Sequence, residues 1–124
     1  MFFNLRYYTG HVAELVALAY LYTKGLRLLQ KNYRCTRGEL DLVMLEGVAN
    51  NDHGVLVIVE VRFRQHGYFG GACASVNLQK QQRIISATQV FLQQHANLRA
   101  LPCRFDVVAI NLHQIQWIKH AFEL

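Results

Sequence analysis

Proline and cysteine are scarce in this 124-residue sequence, and both shortages limit what it can be. Pro102 is the single proline, and no Ser/Pro-rich or low-complexity run marks a linker, so we predict one domain over residues 1–124. The three cysteines, Cys35, Cys73 and Cys103, are odd in number and lack C-x-x-C spacing. This pattern excludes a disulfide framework and a zinc knuckle, and it suits a reducing cytoplasm.

Long hydrophobic runs are also missing. The apolar run LVALAYLY at 15–22 is shorter than the roughly 18 residues that a membrane span needs. His11 and Glu14 stand where the apolar core of a signal peptide would lie. The six histidines include no H-x-x-x-H pair, which favours surface or packing roles over metal binding. We therefore predict a cytoplasmic protein that makes no membrane contact.

Positive charge, in contrast, is plentiful and concentrated in one segment. The formal net charge is +5 and the pI about 9.4, which favours a polyanionic partner. No acid lies between Glu14 and Glu39, and the basic stripe of that interval consists of Lys24, Arg27, Lys31, Arg34 and Arg37. A solvated surface that keeps the protein soluble would explain the basic stripe equally well, unless neighbouring acids form a site.

Hydrophobic spacing and turn residues predict seven elements in the order α-β-β-β-α-β-β. They are a helix over 9–24 that Thr9 caps and Gly25 stops, strands at 26–34, 39–46 and 55–64, a helix over 75–95, and strands at 103–110 and 114–119. This order predicts an α/β fold with a mixed β-sheet flanked by helices.

The apolar residues of the two predicted helices indicate how each packs. The first helix carries Val12, Leu15, Val16, Ala19 and Tyr20 at helical spacing. Its remaining surface is hardly more polar, so we expect it to lie against the sheet with little of it in water. The second helix is amphipathic, and its inward residues are predicted to include Ile84, Ala87, Val90 and Phe91.

Acids interrupt two strands that otherwise have the composition of buried sheet. In GELDLVML, Glu39 and Asp41 share one face of the strand, while Leu40, Leu42 and Met44 take the other. Burying an unpaired carboxylate costs several kcal/mol, so these acids need a partner or a purpose.

The second acidic strand is VLVIVEVRFR, at 55–64, in which Glu60 is the acid. If Glu46 pairs with Val55 across the hairpin, Asp41 comes to lie directly opposite Glu60, with Cβ atoms about 5 Å apart. A slip of one residue would send the two acids to opposite faces. The pattern alone does not fix this register, because both faces are largely apolar.

Two opposed carboxylates repel each other unless a proton or a cation lies between them. A hard ion such as Mg²⁺ suits oxygen ligands, and phosphoryl chemistry uses such ions. Arg62, on the same face as Glu60, could steady charge on a phosphate. Ordinary ion pairs, Glu39 with Arg62 and Asp41 with Arg64 or another basic residue, are the structural alternative.

Glu14 is the only charged residue between Arg6 and Lys24. It is a candidate fourth acid of the site. A position near the helix N-terminus, where the dipole favours an anion, or plain exposure would explain it equally well.

The motifs together resemble the small bacterial YraN-like proteins, which are described as predicted endonucleases. The matching features are G-x-x-x-E-x-x-A from Gly10, GE-L-DL from Gly38, VEV-R-x-R from Val59, a lysine before the second helix, and RFDVV from Arg104. The resemblance extends from Gly10 to about Phe122. It implies a single restriction-endonuclease-like domain, similar to that of archaeal Holliday-junction resolvases and the PD-(D/E)xK group.

The resemblance also assigns roles to individual residues. It implies a Mg²⁺ or Mn²⁺ site held by Asp41, Glu60 and Glu14, and a catalytic set of Glu14, Asp41, Glu60 and Arg62. Lys80 matches the lysine at the start of the second helix, and Asp106 the acid of RFDVV, whereas Glu39 receives no role. Arg62 departs from the pattern, which has lysine there; arginine stays protonated and cannot serve as a base.

Three functions follow as hypotheses. The first is a divalent-metal-dependent endonuclease acting on DNA, with branched or damaged DNA suggested by analogy with resolvases. The second is a catalytically impaired nucleic-acid-binding module of the same fold, which the arginine at 62 would explain. The third is an interaction protein with no nucleic-acid role.

Specific contacts follow from the first two hypotheses. Nucleic acid would be held by Arg34, Arg37, Arg64, Lys80 and Arg83, with Tyr68 and Phe69 of the GYFGG loop available for stacking on a base. A homodimer is a further expectation carried by the resolvase resemblance, without an identified interface.

Overall fold

The structure is a computed structural model that describes residues 5–47, 54–64 and 76–123, with side chains described from residue 10 onward. Its elements are α1 (Leu5–Thr23), β1 (Arg27–Cys35), β2 (Gly38–Glu46), β3 (Val55–Phe63), α2 (Leu78–Gln94), a short 3-10 helix (Ala96–Leu98), β4 (Cys103–Ile110) and β5 (Ile115–Phe122). The predicted α/β order is confirmed. The GYFGG loop, with Tyr68 and Phe69, lies outside the described residues.

The five strands form one mixed sheet in the order β1-β2-β3-β4-β5. Neighbouring strands are antiparallel except β3 and β4, which run parallel because the chain between them crosses over through α2. In the β2–β3 hairpin Glu46 pairs with Val55 and Leu42 with Val59. This is the register, left open by the sequence, in which Asp41 and Glu60 come together, and the strands keep it as far as Leu42 and Val59.

Each face of the sheet carries one helix and its own core. The α2 side buries Tyr33, Leu40, Val43, Leu56, Ile58, Val76, Ile84, Ala87, Phe91, Phe105, Val107 and Phe122. The α1 side buries Ala13, Ala17, Leu21, Leu26, Leu42, Met44, Val57, Val59, Val108 and Ile110. The central strands are apolar almost throughout because they are covered on both faces. A charged side chain within them therefore stands out.

The prediction that little of α1 lies in water is wrong, and the apolar residues at helical spacing do not form its packing face. Ala13, Ala17 and Leu21 face the sheet and are buried, whereas Val12 and Leu15 are each 55% exposed. The small alanines allow the helix to approach the sheet closely. Since α1 is apolar nearly all round, hydrophobic spacing does not distinguish its two sides.

Both ends of α1 can be compared with the prediction. The helix begins at Leu5, so Thr9 lies inside it rather than at its cap. Its C-terminal end is as predicted: Gly25 has φ of +93°, in the left-handed region. The N–H groups of Gly25 and Leu26 donate to the carbonyls of Tyr22 and Leu21, at 3.1 Å each. These bonds form a Schellman motif.

No helix of the described residues is long and apolar enough to cross a membrane.

Candidate active site

Asp41 and Glu60 meet where β2 and β3 separate. The last paired residues of the hairpin are Leu42 and Val59, one position before the acids. Beyond them, Oδ2 of Asp41 accepts a hydrogen bond from the backbone N–H of Val61 at 2.9 Å. The Asp41 side chain thus bonds to β3 at the point where strand pairing stops, and this brings its carboxylate to Glu60.

Glu60 is a buried acid whose pKa is strongly raised. Its side chain is 5% exposed. Burial, followed by the charge of Asp41, raises the pKa of Glu60 to about 8, while Lys80 opposes the shift. A hydrogen bond between the carboxyls of Glu60 and Asp41 favours the protonated form. The pair therefore holds a proton near neutral pH.

Lys80, from α2, forms an ion pair with Glu60. Its Nζ lies 3.1 Å from Oε1 of Glu60. Asn77 sets the start of the helix, because its Oδ1 accepts the N–H of Lys80 at 2.8 Å. That cap puts Lys80 in the first turn, four residues before the buried Ile84 and so on the same face.

A cleft of about 480 Å³ opens over the acid pair. One wall is the turn between β1 and β2, which carries Arg37, and the other is α2 with Lys80 and Arg83. Three cations thus surround the two carboxylates. Of the five predicted nucleic-acid contacts, these three line the cleft; Arg34 and Arg64 are not among its lining residues.

Arg34 and Glu39 instead pair with each other across β1 and β2. Nε of Arg34 lies 3.7 Å from Oε1 of Glu39, and both side chains are mostly exposed, so the pair contributes little stability. Glu39 is also at the edge of the cleft. The predicted position of Glu39 opposite Arg62 is wrong, because the strands no longer pair there.

Arg62 lies in β3 and Arg64 directly follows that strand, and neither lines the cleft. Arg62 is half-buried, lies beside Ala109 of β4, and is not among the lining residues of the cleft. Arg64 is exposed, and its backbone N–H donates to the carbonyl of Ile110 at 3.0 Å. Among the described residues neither arginine forms an ion pair with Asp41, whose carboxylate instead accepts a hydrogen bond from the β3 backbone.

Glu14 approaches the same region from α1. It is half-buried, and its pKa is raised first by burial and then by the charge of Asp41. A hydrogen bond from the side chain of Asn32 acts in the opposite sense. Within residues 10–47, 54–64 and 76–123, no three His, Cys, Asp or Glu side chains gather closely enough to hold a metal ion. The structure therefore brings Asp41 and Glu60 together, with Glu14 as an electrostatic neighbour.

The acid pair fits a hard divalent cation in its chemistry. It offers carboxylate oxygens and no sulfur or imidazole, which suits Mg²⁺ or Mn²⁺. Mg²⁺ is commonly held by one or two carboxylates together with substrate phosphate and water, so two acids beside an open, cation-lined cleft are sufficient. The residues present are compatible with such an ion.

Asp106, the remaining acid of the motifs, lies elsewhere and has a structural role. It is fully buried. Its carboxylate accepts hydrogen bonds from the guanidinium of Arg104, from Nε1 of Trp117 at 2.9 Å and from the N–H of His120 at 3.1 Å. A carboxylate satisfied in this way holds β4 and β5 together.

Gly38 sets the distance between the β1–β2 turn and α2. A Cβ atom at this position would lie 2.6 Å from the carbonyl oxygen of Arg83. We predict that Gly38→Ala lowers the free energy of unfolding by about 1–3 kcal/mol, because the helix must move away. The matched control is Gly10→Ala within α1, where a Cβ meets nothing within 4 Å. Denaturant unfolding of wild type and both variants tests this prediction. A Gly38→Ala variant as stable as wild type would contradict it.

Comparison with known proteins gives a consistent set of relatives. Residues 13–110 match the model of a family described as "Uncharacterised protein family UPF0102". A UPF0102 protein of Stutzerimonas stutzeri is 49% identical over 119 residues, covering 93% of this chain and 94% of the relative. One from Saccharophagus degradans is 50% identical over 116 residues, covering 94% and 93%. One from Pseudomonas savastanoi is 46% identical over 123 residues, covering 95% of each chain.

Proposed function

We propose that this chain, which belongs to the uncharacterised protein family UPF0102, is a divalent-metal-dependent endonuclease that hydrolyses phosphodiester bonds of DNA. Membership in this family is what the YraN-like motifs predicted. The observation that carries the proposal is the Asp41–Glu60 pair beneath a cleft that is lined by Arg37, Lys80 and Arg83.

Each residue of the cleft has a separate task in the proposed reaction. Arg37 and Arg83 bind phosphates of the DNA backbone and set its position over the acids. Asp41 and Glu60 would hold the cation, and the negative charge of Glu14 nearby would strengthen its binding. When bound, Mg²⁺ or Mn²⁺ would supply Lewis acidity to the scissile phosphate and to water. Asp41 is kept in place by its hydrogen bond from Val61.

Lys80 provides the ammonium group that the PD-(D/E)xK pattern places two residues after the acid. In this chain that position is Arg62, outside the lining of the cleft. Lys80 Nζ, 3.1 Å from Glu60, is close enough to the acid pair to orient the attacking water or a phosphate oxygen. An ammonium from α2 would therefore act in place of one from β3.

The proposal is tested by cleavage assays on branched, nicked and single-stranded DNA with Mg²⁺ or Mn²⁺. Branched DNA comes first because resolvases of similar fold act on it, and a homodimer is proposed on that resemblance alone. We expect Asp41→Asn to lower the cleavage rate by at least ~100-fold. The control is Glu123→Gln, an exposed acid outside the cleft. An inactive wild type, or equal activity in Asp41→Asn, would refute the nuclease.

Arg62 favours a second function, a nucleic-acid-binding module without catalysis. If wild type binds DNA but does not cut it, this function replaces the first. Binding should then weaken with salt and with Arg37→Ala or Arg83→Ala, because phosphate contacts release counterions. Absence of binding at moderate salt would leave only an interaction role unconnected with nucleic acid.

A further inference from the structure

Asn32 of β1 has an unusual backbone conformation. Its φ is +54°, and among the described non-glycine residues only His120 also has a positive φ. L-residues enter this left-handed region at an energetic cost, which is smallest for asparagine and aspartate. A left-handed residue within a strand interrupts the regular alternation of side chains.

This interruption lies directly across from Asp41. Lys31 pairs with Leu42 and Tyr33 with Leu40, which places Asn32 opposite Asp41. On either side of Asp41, Leu40 belongs to the core on the α2 side and Leu42 to the core on the α1 side. In a regular strand these two leucines would share a face. The regular alternation of side chains along β2 is therefore broken at Asp41, so that Leu40 and Leu42 point to opposite faces of the sheet.

The side chain of Asn32 links this point to α1. A hydrogen bond from the Asn32 side chain opposes the rise in the pKa of Glu14 that burial and the charge of Asp41 cause. Asn32, Glu14 and Lys31 line a small cavity of about 60 Å³ on the α1 side of the sheet. Glu14 thus interacts with both Asn32 and the first acid of the site.

We propose that Asn32 is a positioning residue, whose left-handed backbone turns its amide toward Glu14 and holds that carboxylate facing Asp41. This inference rests on the proposed function, because the charge of Glu14 matters to the site only if the site takes a cation. Asn32 would not touch the cation or the DNA itself. It would fix a carboxylate whose charge acts on the site, much as hydrogen-bonded partners of metal ligands fix those ligands.

The test is Mn²⁺ affinity, measured by calorimetry on Asn32→Gly. Glycine accepts the positive φ without strain, so the backbone should be kept while the amide is lost. We expect Mn²⁺ affinity to fall at least ~10-fold, and Glu14→Ala to fall by a similar factor. The double variant should bind no worse than Glu14→Ala alone. His120→Gly is the matched control, since it also removes a left-handed side chain, and it should bind like wild type.

A metal-free measurement separates this inference from the proposed function. In the presence of chelator, the Tm shifts of Asn32→Gly and Glu14→Ala should be non-additive by roughly 3 °C, because each removes the same hydrogen bond. Unchanged Mn²⁺ affinity in Asn32→Gly, or additive Tm shifts, would overturn the role of Asn32. If wild type itself binds no Mn²⁺, the proposed function fails. The additivity of the Tm shifts in the two single variants and the double variant still decides whether Asn32 holds Glu14.

Discussion

Glu60→Gln should make the protein more stable by a few kcal/mol near pH 8.5 and should leave its stability unchanged near pH 4. Burial and Asp41 raise the pKa of Glu60 from 4.5 to about 8 in the folded state. Below pH 4.5 the carboxyl is protonated in both the folded and the unfolded chain, so it makes no difference. As the pH rises toward 8, the unfolded chain loses this proton first, and the folded state becomes less stable.

The size of this effect follows from linkage, at about 1.4 kcal/mol per pKa unit. Glutamine keeps the shape and the hydrogen-bond donor of the protonated acid without its charge. The measurement is denaturant unfolding of both proteins from pH 4 to pH 9, without divalent ions. Glu39→Gln is the control, because its pair with Arg34 is largely exposed and contributes little.

The pH dependence of the stability difference decides this prediction. A stability difference that grows with pH for Glu60→Gln and stays flat for Glu39→Gln would support a buried, proton-sharing pair. Addition of Mn²⁺ at pH 8 should then stabilise wild type more than Glu60→Gln, because a ligand that binds only the folded protein stabilises it. A difference independent of pH would mean that Glu60 ionises as readily as an exposed acid.

Lys80→Met should lower the rate of DNA cleavage at saturating DNA by at least ~100-fold, whereas Arg62→Met should lower it by less than ~10-fold. The reason is their placement. Lys80 Nζ lies 3.1 Å from Glu60 and lines the cleft, while Arg62 is half-buried beside β4 and is not among the lining residues. Single-turnover cleavage at saturating DNA separates catalysis from binding.

The same assay has a second arm at position 62. Arg62→Lys restores the residue that the PD-(D/E)xK pattern has there, and it should leave the rate close to that of wild type. If Arg62→Met abolishes cleavage and Lys80→Met does not, β3 supplies the catalytic cation and the role proposed for Lys80 is wrong. A large rate gain in Arg62→Lys would lead to the same conclusion.

Most elements of the fold could be predicted from local patterns in the sequence. The sequence offered the β2–β3 register without fixing it: pairing Glu46 with Val55 gives the observed pairs, and it brings Asp41 toward Glu60. The stop of α1 at Gly25 followed from glycine's tolerance of positive φ. Family membership, predicted from the motifs, is confirmed over most of the chain. These features depend on residues close together in sequence or on a turn of known geometry.

The features that were missed depend on tertiary contacts. The face of α1 was wrong because nearly every side of that helix is apolar, so that only the close fit of Ala13 and Ala17 selects one. Glu39 was placed opposite Arg62 because regular pairing was extended past Asp41, whose side chain bonds to the β3 backbone instead.

Lys80 was assigned to DNA contact rather than to the acid pair. Its place depends on where α2 begins, and the cap at Asn77 was not recognised in the sequence. The sequence did contain one signal for its position. Lys80 lies four residues before Ile84, which was predicted to face inward, so both residues share one face of α2. The left-handed backbone of Asn32 leaves no such trace, because asparagine is equally common in ordinary loops and turns.

The most direct measurement of the central claim is calorimetric titration of Mn²⁺ into wild type and Asp41→Ala at pH 7, in buffers of different ionisation enthalpy. Wild type should bind the ion and release about one proton, because the cation takes the place of the proton shared by Asp41 and Glu60. Asp41→Ala should show no binding. Wild type without binding heat, or an Asp41→Ala variant that binds equally well, would contradict a metal site at this acid pair.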